Sequence, residues 1–169
     1  PTLHCTMPFS FNNNSPLALS TLNAALFGNP MGISCAHHPL NKQGSAEGIL
    51  IGGNLSILYS LLGTKFGFST GHKILFIEDI DEYLYHIDRM LMSLKLAGKL
   101  DFVKGIIVGS MADMHDNEIP FGQNEVQIIT AIAKEYNIPI AFEFPAGHQK
   151  DNRTLILGKQ VDFEVNEKE

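Results

Sequence analysis

The chain has 169 residues, 44% of them hydrophobic, and a formal net charge of −6. That length buries one substantial core, as one domain or slightly more, and the composition is that of a globular protein rather than a disordered or fibrous one. Its 12 lysines and arginines form no cluster. This excludes the phosphate-neutralising surface of a general nucleic-acid or anionic-membrane binder, and no apolar stretch reaches the length of a membrane span.

The first residues, Pro1 to about residue 43, read as the tail of another structural unit, and a chain that opens on Pro1 is expected to be a piece of something longer. Asn12 to Asn14 form a polar turn. Ser15 is a good N-cap with Pro16 in the first helical position, and Leu17 to Phe27 make a short apolar helix closed by Gly28. His37 to Gly44 is loop-like.

From about Ala46 the pattern alternates between strand and helix. Gly48 to Ile51 is a short strand, Gly52-Gly53 a turn, and Asn54 the cap of a helix over Leu55 to Leu62. Lys73 to Ile77 is the strongest strand signal, with four apolar residues in a row, as in a strand buried on both faces. Residues 82 to 97 give the clearest helix, striped by Tyr83, Ile87, Met90, Leu91 and Leu94 and ended by Gly98. Gly105 to Val108 is a strand, Asn124 to Tyr136 a helix, and Pro139 to Phe142 a strand. Thr154 to Leu157 and Val161 to Val165, joined through Gly158-Lys159, suggest a closing hairpin. Strands separated by helices of this length predict an α/β fold, a mixed or mainly parallel sheet with flanking helices.

Two residues stand out chemically. Glu78 follows Ile74-Leu75-Phe76-Ile77 at the carboxyl end of a core strand, where open α/β sheets place their ligand crevices. It could orient a protonated histidine, or it could cap the following helix, a role that Asp79 and Glu82 fit better. His148 lies on a loop of small residues, Pro145-Ala146-Gly147, followed by the polar stretch Gln149 to Arg153. Such loops on rigid strands carry catalytic groups, although a lone histidine is more often structural. Together they supply two parts of a nucleophile–base–orienter triad. The third part is missing: there is no Gly-x-Ser-x-Gly elbow, and Ser110 is the nearest approach to a strand-end nucleophile.

Other features read more plainly. Arg89, beside Asp88, could bind a carboxylate or secure its helix. Gly52-Gly53-Asn54 could offer free amides to an anion or be a tight turn. Asp113, His115, Asp116 and Glu118 include metal-ligand types but lack a metal-site spacing, so the segment reads as a solvated loop. Cys5 and Cys35 read as free, buried thiols. No metal and no cofactor are implied.

The ordered segments Gly48-Ile49-Leu50-Ile51-Gly52-Gly53-Asn54-Leu55, Leu61-Leu62-Gly63-Thr64, Ile74-Leu75-Phe76-Ile77-Glu78-Asp79, Tyr85-His86-Ile87-Asp88-Arg89-Met90-Leu91 and Gly147-His148 resemble the C-terminal domain of the LD-carboxypeptidase family, which includes the microcin-immunity peptidases. Upstream, His4-Cys5-Thr6-Met7 resembles the family's His-Gly-Pro-Met stretch but departs from it in the middle. The resemblance implies a swivelling-type C-terminal domain over residues 44–169, preceded over residues 1–43 by the tail of a truncated N-terminal domain and a linker. It also implies a cytoplasmic serine peptidase of peptidoglycan recycling that removes the terminal D-alanine from murein tetrapeptides. Glu78 and His148 fall on the family's triad glutamate and histidine. The family serine belongs to a Gly-x-Ser-Asp turn in the N-terminal domain, and no such turn occurs here. The chain alone is therefore expected to be inactive, needing that domain, while a homodimer is expected by analogy. The alternatives are a microcin-immunity amidase and a non-catalytic peptide-binding domain.

Overall fold

The computed structural model describes residues 1–167. A short strand β1 (Thr2–His4) leads through a 3-10 turn (Pro8–Asn13) into α1 (Pro16–Phe27). The Ser15 hydroxyl accepts the Ala18 amide at its start, and Gly28, at φ 72°, closes it in the left-handed conformation that glycine adopts without strain. Then follow β2 (Gly44–Asn54), α2 (Leu55–Ser60), β3 (Ile74–Ile80), α3 (Leu84–Leu96), β4 (Gly105–Ala112), α4 (Glu125–Ala133), β5 (Ile140–Ala141), β6 (Leu155–Leu157) and β7 (Gln160–Val165).

The main sheet has five strands in the order β5-β4-β3-β2-β7. The first four run parallel, each step crossing over through a helix, and β7 closes the edge antiparallel to β2. The expected α/β class with a mainly parallel sheet is therefore the observed one. The helical side holds one core, in which Leu75 and Ile77 of β3 meet Ile87, Met90 and Leu94 of α3 and Ile128, Ile129 and Ile132 of α4. On the opposite face Ile74 and Phe76 pack with Leu50, Ile107, Phe144, Ala146 and Leu155. That second face is topped by a two-stranded ribbon in which β1 pairs antiparallel with β6. β3 is thus buried on both faces, as its unbroken apolar run predicts, and alternate residues serve different cores.

The structure departs from the sequence expectation in two places. Gly52 and Gly53 are not a turn: β2 runs straight through them, paired with Phe76 and Ile77. A Cβ on Gly52 would lie 1.8 Å from the Phe76 carbonyl oxygen, so that position is glycine because β3 approaches too closely for a side chain; Gly53 faces open space, and its φ of 145° is a backbone conformation that favours glycine. The closing hairpin does not form either. Its two halves join different sheets, β6 with β1 and β7 with β2, and the Gly158 amide bonds the Leu50 carbonyl. A glycine at φ 85° redirects the chain from one layer to the other without returning it on itself.

The first residues are tied to the end of the chain. The Ser15 amide and the Asn14 side chain both donate to the Lys150 carbonyl, Ser15 Oγ donates to Asp151, and the Thr154 amide donates to Thr21 Oγ1. The loop carrying His148 is therefore buttressed by the segment that precedes the sheet.

Candidate active site

Glu78 is the fifth residue of β3, paired with Asn54 of β2. Opposite it, β4 takes one residue more than β3 between the pairs Ile77–Val108 and Asp79–Met111. Such an inserted residue bends a strand and re-aims side chains, and bulges recur beside active sites. Here the extra length falls at Gly109-Ser110, where the loop after β5 closes in: the Phe144 amide bonds the Val108 carbonyl, and the Ser110 amide bonds the Ala146 carbonyl. A Cβ on Gly109 would lie 2.4 Å from that Ala146 oxygen. The loop is thus laid along β4 as a substitute strand, and it delivers His148 to Glu78.

The two residues meet. His148 Nδ1 lies 2.7 Å from Glu78 Oε2, with the carboxylate 1% exposed and the imidazole 47% exposed. An imidazole held by Nδ1 leaves Nε2 as the ring nitrogen free to exchange a proton. Gly147, at φ 110°, makes the approach feasible. A Cβ there would stand 2.5 Å from Ser110 Oγ and 3.0 Å from Glu78 Oε2. Gly147 is therefore packed against the carboxylate, and does not simply leave the backbone open.

A second imidazole, one the sequence had not singled out for chemistry, faces the same carboxylate. His4 Nε2 is 3.6 Å from Glu78 Oε1, and its ring stands edge-on to Phe76 with centroids 4.9 Å apart. Burial alone would push the Glu78 carboxyl up. The hydrogen bonds and charges of His4 and His148 outweigh it and hold the group below its ordinary value.

Asp79, the next residue, points to the helical side. Its carboxylate accepts the Asn54 side-chain amide at 2.7 Å and the Ser56 amide at 2.9 Å. It thus serves the start of α2, and not the start of α3 as its sequence position suggests. α3 has Tyr83 at its N-cap position with no side-chain cap, and Glu82 pairs with His86 at 2.6 Å. Asp79 and Asn54 together take the first amides of α2, so the turn considered for anions is already filled from within. Burial raises the Asp79 carboxyl, partly offset by these donors.

Of the remaining candidates, Ser110 lies beside the Glu78–His148 pair, packed against Gly147, and the others form their own contacts. Ser110 Oγ is buried and has no hydrogen-bond partner among the described residues. The Arg89 guanidinium lies over the Tyr85 ring, 4.8 Å from its centroid. His115 pairs with Asp81 at 2.5 Å, and Asp116 accepts the amides of Asn117 and Phe121 within its own loop. Among the described residues no group of three or more potential ligands could hold a metal, and no helix is long and apolar enough to cross a membrane. Cys5 and Cys35 are free and half-buried.

The mainly parallel sheet with its flanking helices matches a known class. Residues 47–163 match the family model of the LD-carboxypeptidase C-terminal domain, and the chain belongs to the LD-carboxypeptidase family. It is 41% identical to a probable murein peptide carboxypeptidase of Bacillus subtilis, over 74% of this chain and 39% of that protein. It is 29% identical to the microcin C7 self-immunity protein of Escherichia coli, over 75% of this chain and 36% of that protein. Among solved structures, the muramoyltetrapeptide carboxypeptidase from Oxalobacter formigenes superposes with a TM-score of 0.83 at 26% identity, covering 97% of this chain and 57% of that one. The chain thus spans well under two thirds of the length of the relatives it matches.

Proposed function

We propose that this chain is the C-terminal part of a serine LD-carboxypeptidase that removes the terminal D-alanine from murein tetrapeptides in the cytoplasm. The observation that carries the reading is the 2.7 Å contact between His148 Nδ1 and the buried Glu78 carboxylate. In this reading residues 1–43 end a preceding domain whose remainder supplies a serine nucleophile and the oxyanion donors. Ser110 does not take that part, since its hydroxyl is buried against Gly147.

The chemistry then follows from the geometry. Glu78 fixes the tautomer of His148 with the proton on Nδ1, which leaves Nε2 basic and half exposed. Nε2 takes the proton of the serine hydroxyl as its oxygen attacks the carbonyl between the L-centre and D-alanine. The imidazolium so formed is stabilised by the carboxylate behind it. It then gives the proton to the departing D-alanine amine, and water hydrolyses the acyl-enzyme by the same relay in reverse. Without the serine no acyl-enzyme forms, so the 169-residue chain is inactive alone.

The test is D-alanine release from a murein tetrapeptide by the full-length product of the parent reading frame and by this chain. Release by the full-length protein only supports the reading. Release by neither transfers it to an amidase acting on a peptide-nucleotide or to a peptide-binding domain.

A further inference from the structure

The carboxylate of Glu78 divides its two oxygens between two imidazoles, one of which the proposed mechanism leaves without a task. We propose that His4 is a positioning residue: a neutral imidazole protonated on Nε2 that donates to Glu78 Oε1 and keeps the carboxylate ionised and aimed at His148. This rests on the reading of Glu78 and His148 as the catalytic pair.

Three observations carry it. Nε2 of His4 faces Oε1 at 3.6 Å while Oε2 is held by His148, so the two rings address different oxygens and do not compete for one. The ring is fixed from behind, with its backbone paired to Leu155 in β6 and its edge against Phe76. And Nδ1 of His4 is buried with no hydrogen-bond partner among the described residues. Protonation of that nitrogen would place an unpaired donor in an apolar setting, whereas a bare ring nitrogen there costs less. The surroundings therefore favour one neutral tautomer, with the proton on the nitrogen that faces Glu78.

A neutral donor suits the task better than a cation. While His148 carries the proton taken from the nucleophile, a second imidazolium on the same carboxylate would repel it and share its counter-charge. His4 as a donor toward Oε1 offsets the burial of Glu78 and leaves Oε2 to His148. The groups facing Glu78 are few: His4 from β1, His148 and Gly147 from the loop after β5, and the uncharged Ser110 from β4. Asp79 is turned to the other face, held by Asn54 and Ser56.

The experiment is a pH titration by NMR of this chain, with ring-15N histidine and carboxyl-13C glutamate, in the native sequence and in His4→Phe and His4→Gln. Phe keeps the ring packing and deletes the donor, and Gln returns a donor. The native chain is expected to show neutral His4 bare at Nδ1 and protonated at Nε2. In His4→Phe the Glu78 midpoint should rise on the order of one pH unit, and His4→Gln should recover most of that rise. The proposal is overturned if neutral His4 carries its proton on Nδ1. It is equally overturned if His4→Phe, with an intact amide spectrum, leaves the Glu78 midpoint where it was. Should Phe disturb the β1–β6 ribbon, the tautomer in the native chain decides alone. None of these readouts needs turnover. A failed D-alanine assay therefore sinks the peptidase reading separately, and an unmoved Glu78 midpoint beside an active parent enzyme removes only His4.

Discussion

Glu78 and Asp79 are neighbours on one strand, both carboxylates and both 1% exposed, yet they are put to opposite uses. The pleat turns Glu78 to the side of β1 and the β5 loop, where its partners are two imidazoles that can change charge. It turns Asp79 to the helical side, where its partners are amides that cannot. The comparison teaches that burial does not set the two carboxylates apart; the titratability of their partners does.

The largest test of that contrast lies on the imidazole. In the full-length parent, His148→Ala should lower kcat for D-alanine release by roughly 10⁴- to 10⁶-fold. The buried Glu78 carboxylate loses its 2.7 Å partner, so the melting temperature should fall, but the folded enzyme should still lack turnover below the transition. An activity within tenfold of the native enzyme would hand the proton transfer to another group. Next comes Glu78→Gln. Its amide can turn an N–H toward His148 Nδ1 and enforce the wrong tautomer, so turnover should fall by about 10⁴-fold with the fold retained. Near-native turnover in this variant would reduce Glu78 to a buried ion-pair partner.

Asp79→Ala should invert the pattern. It removes the acceptor for the Ser56 amide and the Asn54 side chain at the start of α2, costing about 1–3 kcal/mol of stability. Denaturant midpoints measure the loss, and kcat in the parent enzyme should stay within a few-fold of native. A loss of turnover comparable to that of Glu78→Gln would erase the distinction between the two carboxylates.

How much of this arrangement a reader of the sequence could see depends on distance along the chain. The run Ile74 to Ile77 announces a doubly buried strand, and a carboxylate at its end beside a glycine–histidine loop announces a site. The partners of each carboxylate are another matter. Ser56, which takes up Asp79, lies 23 residues upstream, and His4 reaches Glu78 only because β1 pairs with β6. Nothing local marks either contact, and a cap for the adjacent helix is the natural reading of an acid at that position. The glycines misled for a related reason. Gly52-Gly53 and Gly158 look like turn chemistry, but Gly52 makes room for a neighbouring strand and Gly158 carries the chain between layers. Sequence records that a side chain is absent, not which of these uses the absence serves.

The smallest effect separates the pair by sign. Glu78 is held below its ordinary value of 4.5 by His4 and His148, so between that lowered value and 4.5 the unfolded chain binds more protons than the native one. Stability in that window rises with pH and is lost on acidification. Asp79 is raised above 3.8 by burial, so between 3.8 and its raised value the native chain binds more protons, and stability falls as pH rises. Over the same acid range the two slopes oppose each other. Glu78→Gln should therefore flatten the acid limb of a stability–pH curve, and Asp79→Asn should steepen it, in denaturant titrations from about pH 3 to 6. The two variants shifting the limb in the same direction would mean that both carboxylates feel one common environment, and the division of labour along β3 would have to be abandoned.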